Sequence, residues 1–211
     1  MTRITMSGGS SRRGLRPLVR ALALLLVAVP VTMLGPVTAG AATAAAATAS
    51  ATAPYCGIRW GSLPKTAGSS GYAGISLNTV RNVRAGEHAC YDRLVIDVSG
   101  KTSRVTVRYV PQVTAPGSGA TVALRGGARL EIVVQQPAYD QNGRPTYAPA
   151  NRRELVNVTG YRTFRQVALA GSFEGSTTIG LGVRARLPLR VFLLDGPGSG
   201  SRVVIDVAHR W

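Results

Sequence analysis

Histidine is almost missing from this chain: His88 and His209 are the only two in 211 residues. A Ser-His-Asp triad would need one of them beside an activated serine. The sequence has no G-x-S-x-G elbow to present that serine. Cysteine is as scarce, with Cys56 and Cys90 alone. His88 and Cys90 are close in sequence, but two residues do not complete a tetrahedral metal set. A catalytic thiol would need a dedicated base, and the nearest candidate is again His88. The nine acidic residues do no better. A glycosidase pair could be drawn from Glu87, Asp92, Glu131, Asp140, Glu154 or Glu174, yet nothing selects two of them. Glu174, in Gly171-Ser172-Phe173-Glu174-Gly175, is the most suggestive single carboxylate. Its plainer reading is a turn residue paired to an arginine. A phosphate-binding loop is missing too. Gly180-Leu181-Gly182 lacks a third glycine at the required spacing and opens no helix, and 196–201 reads as a turn. No enzyme, no cofactor and no metal is expected.

Lysine is the other shortage. Only Lys65 and Lys101 stand among 25 basic residues. Five of the 25 precede residue 42, so the rest of the chain carries 20 basic residues against nine acidic ones, a net +11. Such a charge attracts polyanions. In an exported protein those are cell-wall polymers and lipid headgroups, not nucleic acid. A surface that merely keeps the protein soluble is the plainer alternative.

Export is written into the first residues. Arg3, Arg12, Arg13, Arg16 and Arg20 form a basic region with no acidic residue, and 18–34 is almost wholly apolar. Val37-Thr38-Ala39 and Ala39-Gly40-Ala41 both fit an A-x-A-like cleavage site. This is the layout of a secretory signal peptide over 1–41. A retained anchor is the rival reading. The run is near the lower limit for a span, however, and Pro30, Gly35 and Pro36 interrupt it, so no stable membrane span is expected after cleavage. Ser11-Arg12-Arg13-Gly14-Leu15-Arg16 fits a twin-arginine signal and a general secretory signal alike. Neither cysteine stands in a lipobox-like setting. Residues 42–54 contain only Ala, Thr, Ser and one Pro. They cannot bury a core and read as a disordered linker. In an exported chain Cys56 and Cys90 are expected to form one disulfide, pinning the segment with Trp60 to the strand that follows Cys90.

Residues 55–211 suffice for one domain. Strand formers separated by Gly and Pro predict strands at 76–84, 92–98, 104–110, 129–135, 154–159, 164–170, 176–184, 189–194 and 202–208. Positions 163–168 are ambiguous between strand and short helix. Alternation continues through Gly182-Val183-Arg184-Ala185-Arg186-Leu187, which would put Arg184 and Arg186 on one face. Strands at this spacing, without a helical period, indicate an all-β antiparallel sandwich.

One pattern occurs twice. Arg93-Leu94-Val95-Ile96-Asp97-Val98 is repeated as Arg202-Val203-Val204-Ile205-Asp206-Val207. In a strand, Arg93, Val95 and Asp97 share one face, as do Arg202, Val204 and Asp206. The four charged residues are expected to form cross-strand ion pairs that fix register. A polar ligand groove is the alternative.

The doubled strand resembles an AMIN domain, and more closely the AMIN-like domain of secreted actinobacterial proteins. Further stretches carry the likeness: Cys56-Gly57-Ile58-Arg59-Trp60-Gly61-Ser62-Leu63, Cys90-Tyr91-Asp92, Gly160-Tyr161-Arg162-Thr163-Phe164-Arg165, Gly171–Gly175, Thr178–Arg184 and 196–211. Together they cover most of 55–211. The resemblance implies a β-sandwich acting as a non-catalytic targeting module that binds the peptidoglycan envelope. Partners would be a wall glycan or an anionic wall polymer. An adaptor for a wall hydrolase or other envelope protein is the second reading, and a wall hydrolase the third. Candidate ligand residues are Tyr161, Arg162, Phe164 and Arg165, with Arg184, Arg186 and Arg190 as a second strip. Aromatic rings stack on sugars, and guanidinium groups bond carboxylates or phosphates in pairs. The competing reading buries Tyr161 and Phe164 in the core.

Overall fold

Alternating side chains set the strands. In Arg104–Val110, Val105 and Val107 are fully buried, while Thr106 and Arg108 point the other way. The computed structural model describes residues 54–69 and 78–211. The expected signal peptide, the linker up to residue 53, and positions 76–77 of the first expected strand lie outside the described residues. The described strands are β1 (Lys65–Gly68), β2 (Val80–Glu87), β3 (Tyr91–Val98), β4 (Arg104–Val110), β5 (Val113–Thr114), β6 (Thr121–Val122), β7 (Ala128–Val134), β8 (Phe164–Phe173), β9 (Ser176–Val183), β10 (Leu189–Asp195) and β11 (Ser201–Ala208).

Two antiparallel sheets form the sandwich. One has the order β1-β4-β7-β9-β8 and the other β10-β11-β3-β2. A single core joins them. Leu94, Ile96, Val203 and Ile205 from the four-stranded sheet meet Val107, Leu130, Ile132, Ile179 and Leu181 from the five-stranded one, and all are fully buried. Residues 50–211 form one compact unit, and this core lies within it. The fold is thus an all-β sandwich.

A two-stranded ribbon, β5-β6, covers the outside of the five-stranded sheet. Val113 and Leu124 pack there against Ala168 and Ala170. Gly180 and Gly182 make room for this cover. A methyl at Gly180 would lie 2.8 Å from Leu124 Cδ1, and one at Gly182 would lie 2.0 Å from the Arg125 carbonyl. Packing explains the Gly-Leu-Gly pattern without a phosphate.

A buried carboxylate bolts the sheets together at one end. Asp92 of β3 is fully buried and accepts hydrogen bonds from the Thr163 N–H (2.6 Å) and the Phe164 N–H (2.9 Å), at the start of β8. Its other oxygen lies 2.9 Å from His209 Nε2. The Thr163 hydroxyl donates to the Ala208 carbonyl. Backbone bonds therefore occupy both Asp92 and Thr163, and the arrangement fastens the C-terminal strand.

Two expectations need correction. Residues 154–159 are not a strand. The side chains of Asn151 and Asn157 accept the backbone N–H groups of Arg153 and Thr159, and these local bonds break the ladder. The segment keeps only isolated bonds to β8, such as Leu155 N–H to the Val167 carbonyl at 2.8 Å. The alternation after Val183 does not continue as strand, so Arg184 and Arg186 do not share a sheet face. The strand expected at 164–170 is present within β8, which resolves the ambiguity at 163–168 in favour of strand.

Candidate functional site

The doubled motif lies at the centre of the four-stranded sheet. Its copies, β3 and β11, run antiparallel with Arg93 opposite Asp206, Val95 opposite Val204 and Asp97 opposite Arg202. The repeat thus makes a local twofold pattern on the outer face, with each arginine opposite a carboxylate. Flanking strands extend the rows. Arg84 of β2 stands beside Val95, while Arg190 and Phe192 of β10 stand beside Asp206 and Val204.

The two halves are not used alike. Asp206 is fully buried and accepts two hydrogen bonds from Arg93, at 2.7 and 2.9 Å, and one from Arg190 Nε at 2.7 Å. The bond to Asp206 pushes the Arg93 pKa up from its ordinary value. In the other half Arg84 takes Asp97, with bonds of 2.9 and 3.1 Å. That hydrogen bond likewise raises the Arg84 pKa. Arg202 is left without the carboxylate opposite it. One of its terminal nitrogens donates to the Asp195 carbonyl at 2.9 Å, and its Nε is buried without a hydrogen-bond partner among the described residues.

A cavity of about 250 Å³ opens here. Val95 and Val204, both buried, line it, and Arg84, Arg93, Arg202 and His88 supply its polar groups. Buried donors without partners in native proteins call for a physical explanation. Of the three arginines lining the cavity, Arg84 and Arg93 are bonded to carboxylates and Arg202 is not. Beside this cavity lies an aromatic cluster. The Arg190 guanidinium carbon is 5.1–5.6 Å from the ring centres of Trp60, Tyr91 and Phe192, and that of Arg93 is 5.2 Å from Tyr91. The disulfide between Cys56 and Cys90 ties the Trp60 segment to the start of β3.

The family model of the AMIN-like domain matches residues 78–209. The chain belongs to the AMIN-like domain family. Membership points to a cell-wall-associated binding module. No curated protein and no solved structure matches the chain.

Within the AMIN-like domain, the other residues singled out from the sequence are scattered. Phe164 is 1% exposed and part of the core, and its ring stacks near Tyr161 at 6.1 Å between centres. Burial raises the Tyr161 pKa. Arg165 folds back onto the carbonyls of Tyr161 and Phe164, at 2.9 and 2.8 Å. Arg162 is exposed and lies 3.4 Å from Glu87. Tyr161, Phe164 and Arg165 do line a pocket of about 280 Å³, with Arg125 and Glu154. Arg184 donates to the His209 carbonyl. Arg186 donates to the Ser62 carbonyl at 3.2 Å and stacks over Tyr109. Tyr161 and Arg165 share a pocket, but Arg184 and Arg186 do not line it. Sequence reasoning did not single out Arg84, Tyr91 or Phe192, and it weighed His88 only for metal binding and catalysis. Period-two alternation in 80–87 and 189–195 places Arg84, Arg190 and Phe192 on one face once the strand order is known. That order is what the sequence does not state. No His/Cys/Asp/Glu group among the described residues could hold a metal ion. Nor is any described helix long and apolar enough to cross a membrane.

Proposed function

We propose that this protein is exported and serves as a non-catalytic module that holds to the cell wall, with its AMIN-like domain binding an anionic wall polymer. The basic, apolar and small-residue segments of 1–41 support export, and the disulfide suits an oxidising compartment. The observation that carries the ligand reading is the broken symmetry of the doubled motif. Arg84 occupies Asp97, so the cavity holds a guanidinium whose own carboxylate is committed elsewhere. A carboxylate or phosphate oxygen of the polymer takes that place, bonded by Arg202 and flanked by Arg84 and Arg93. Arginine suits this role because its planar fork bonds such groups in pairs. Further cations on the domain lengthen the contact along a polyanion.

The test is sedimentation of residues 50–211 with purified cell-wall fragments, before and after the anionic polymers are extracted. Binding that falls with salt and with extraction is expected. Arg202→Gln should weaken it about tenfold, the loss of one charge-assisted bond of about 1.5 kcal/mol. A domain that stays in the supernatant at low salt overturns the proposal.

A further inference from the structure

The domain has a further concave surface, built largely from residues outside the family-matched stretch. Tyr55, Ile58, Arg59, Trp60, Pro188 and Trp211 line a groove of about 490 Å³, and Pro54 completes it. Of these, only Pro188 falls within 78–209. The chain's two tryptophans both stand here. Trp211 is 69% exposed, and Leu63, three residues on from Trp60, is 71% exposed. Large apolar side chains left this open call for a partner more than scattered small ones do.

The charged side chains around it are arginines. The Arg210 guanidinium carbon sits 4.6 Å from the Tyr55 ring centre, and that of Arg190 sits 5.6 Å from Trp60. Arg59 lines the groove itself, and Arg186 is bonded to the Ser62 carbonyl nearby. No aspartate or glutamate side chain is among the residues lining the groove. Asp206, which Arg190 bonds, is fully buried and already paired.

We infer that this end of the domain is a docking surface for an anionic lipid bilayer. Tryptophan and tyrosine favour the boundary between water and hydrocarbon, because each has an apolar body and a polar handle. Arginine covers apolar surface with its stem while its head stays at the charged headgroups. Apolar insertion together with basic charge is the combination that holds a protein on such a surface. Charge and shape together favour a bilayer over a soluble polyanion: hydrocarbon receives the apolar faces of Ile58, Trp60 and Trp211 while anionic headgroups meet Arg59 and Arg210.

The experiment uses residues 50–211, vesicles of phosphatidylcholine alone, and vesicles of phosphatidylcholine with phosphatidylglycerol. Tryptophan emission reports the groove alone, since Trp60 and Trp211 are the only tryptophans. The expected result is a blue shift and co-sedimentation with the anionic vesicles, both reduced by salt, and neither with the neutral ones. Trp211→Ala and Ile58→Ser, at groove positions outside the buried core, should each weaken vesicle binding about fivefold or more. Arg202→Gln should leave the blue shift in place, which separates this surface from the wall-binding one. Unshifted emission with anionic vesicles overturns the inference. So does native-like vesicle binding by both apolar variants, which would mean that surface charge alone is responsible. A shift produced equally by a soluble acidic polysaccharide overturns it as well, by assigning the groove to the wall ligand.

Discussion

Replacing Asp206 and Asp97 by alanine, one at a time, should have very unequal costs although the two occupy equivalent places in the repeat. Asp206 is fully buried, and the side chains of its partners Arg93 and Arg190 are only 23% and 32% exposed. Asp206→Ala leaves two guanidinium groups without a counterion in a partly dry site. Removing one partner of a buried pair costs about 3–5 kcal/mol. Partial access of water to the arginines brings this to roughly 2–4 kcal/mol. Asp97 and Arg84 are more open, at 23% and 49%. An exposed pair of that kind contributes about 0.2–1 kcal/mol. For a domain of this size 1 kcal/mol moves Tm by about 2–4 °C. Asp206→Ala should therefore lower Tm by roughly 4–16 °C and Asp97→Ala by at most about 4 °C. Urea unfolding with the disulfide intact measures both, and an unchanged slope shows that the denatured state is the same. Equal losses for the two variants would refute the reasoning, because burial would then not govern the worth of these pairs.

Other consequences can be measured separately. The double variant Cys56→Ser/Cys90→Ser opens a loop spanning 34 residues and should lose about 3–4 kcal/mol in urea, with a change in tryptophan emission as the Trp60 segment is released. Gly182→Ala should destabilise more than Gly180→Ala, by about 1–3 kcal/mol for the milder change, since the first methyl meets a fixed carbonyl and the second the end of a leucine side chain. Thermal melts rank the two. The hydrogen bond from Arg125 holds the Glu154 carboxyl below its ordinary value of 4.5. A depressed carboxylate contributes stability above its unfolded pKa and loses it as pH falls through the folded one. Glu154→Gln should thus be slightly less stable than the native domain at neutral pH and equal to it in strong acid, as urea midpoints across that range will show.

The sandwich was legible because its strands alternate cleanly. Val105 and Val107 against Thr106 and Arg108 identify a strand without tertiary information. So did the repeat of Arg-x-Val-x-Asp, which made a shared outer face readable. Its consequence was not readable. Which carboxylate each arginine takes depends on Arg84 arriving from β2 and Arg190 from β10, and sheet order is a long-range property. The same limit hid the aromatic cluster, since Trp60, Tyr91 and Phe192 are far apart in sequence. Short strands such as β5 and β6 carry too few residues for a period to emerge. Residues 154–159 look like a strand by composition, but two asparagine side chains decided otherwise.

Wall binding by the native domain and by Arg202→Gln, compared across a salt series, tests the central claim most directly. The account predicts that the native domain sediments with intact walls at low salt and is released as salt rises. It predicts that Arg202→Gln, with an unchanged melting temperature, is weakened about tenfold, a loss of about 1.5 kcal/mol. Native-like binding by Arg202→Gln, or a native domain left in the supernatant at low salt, would contradict it.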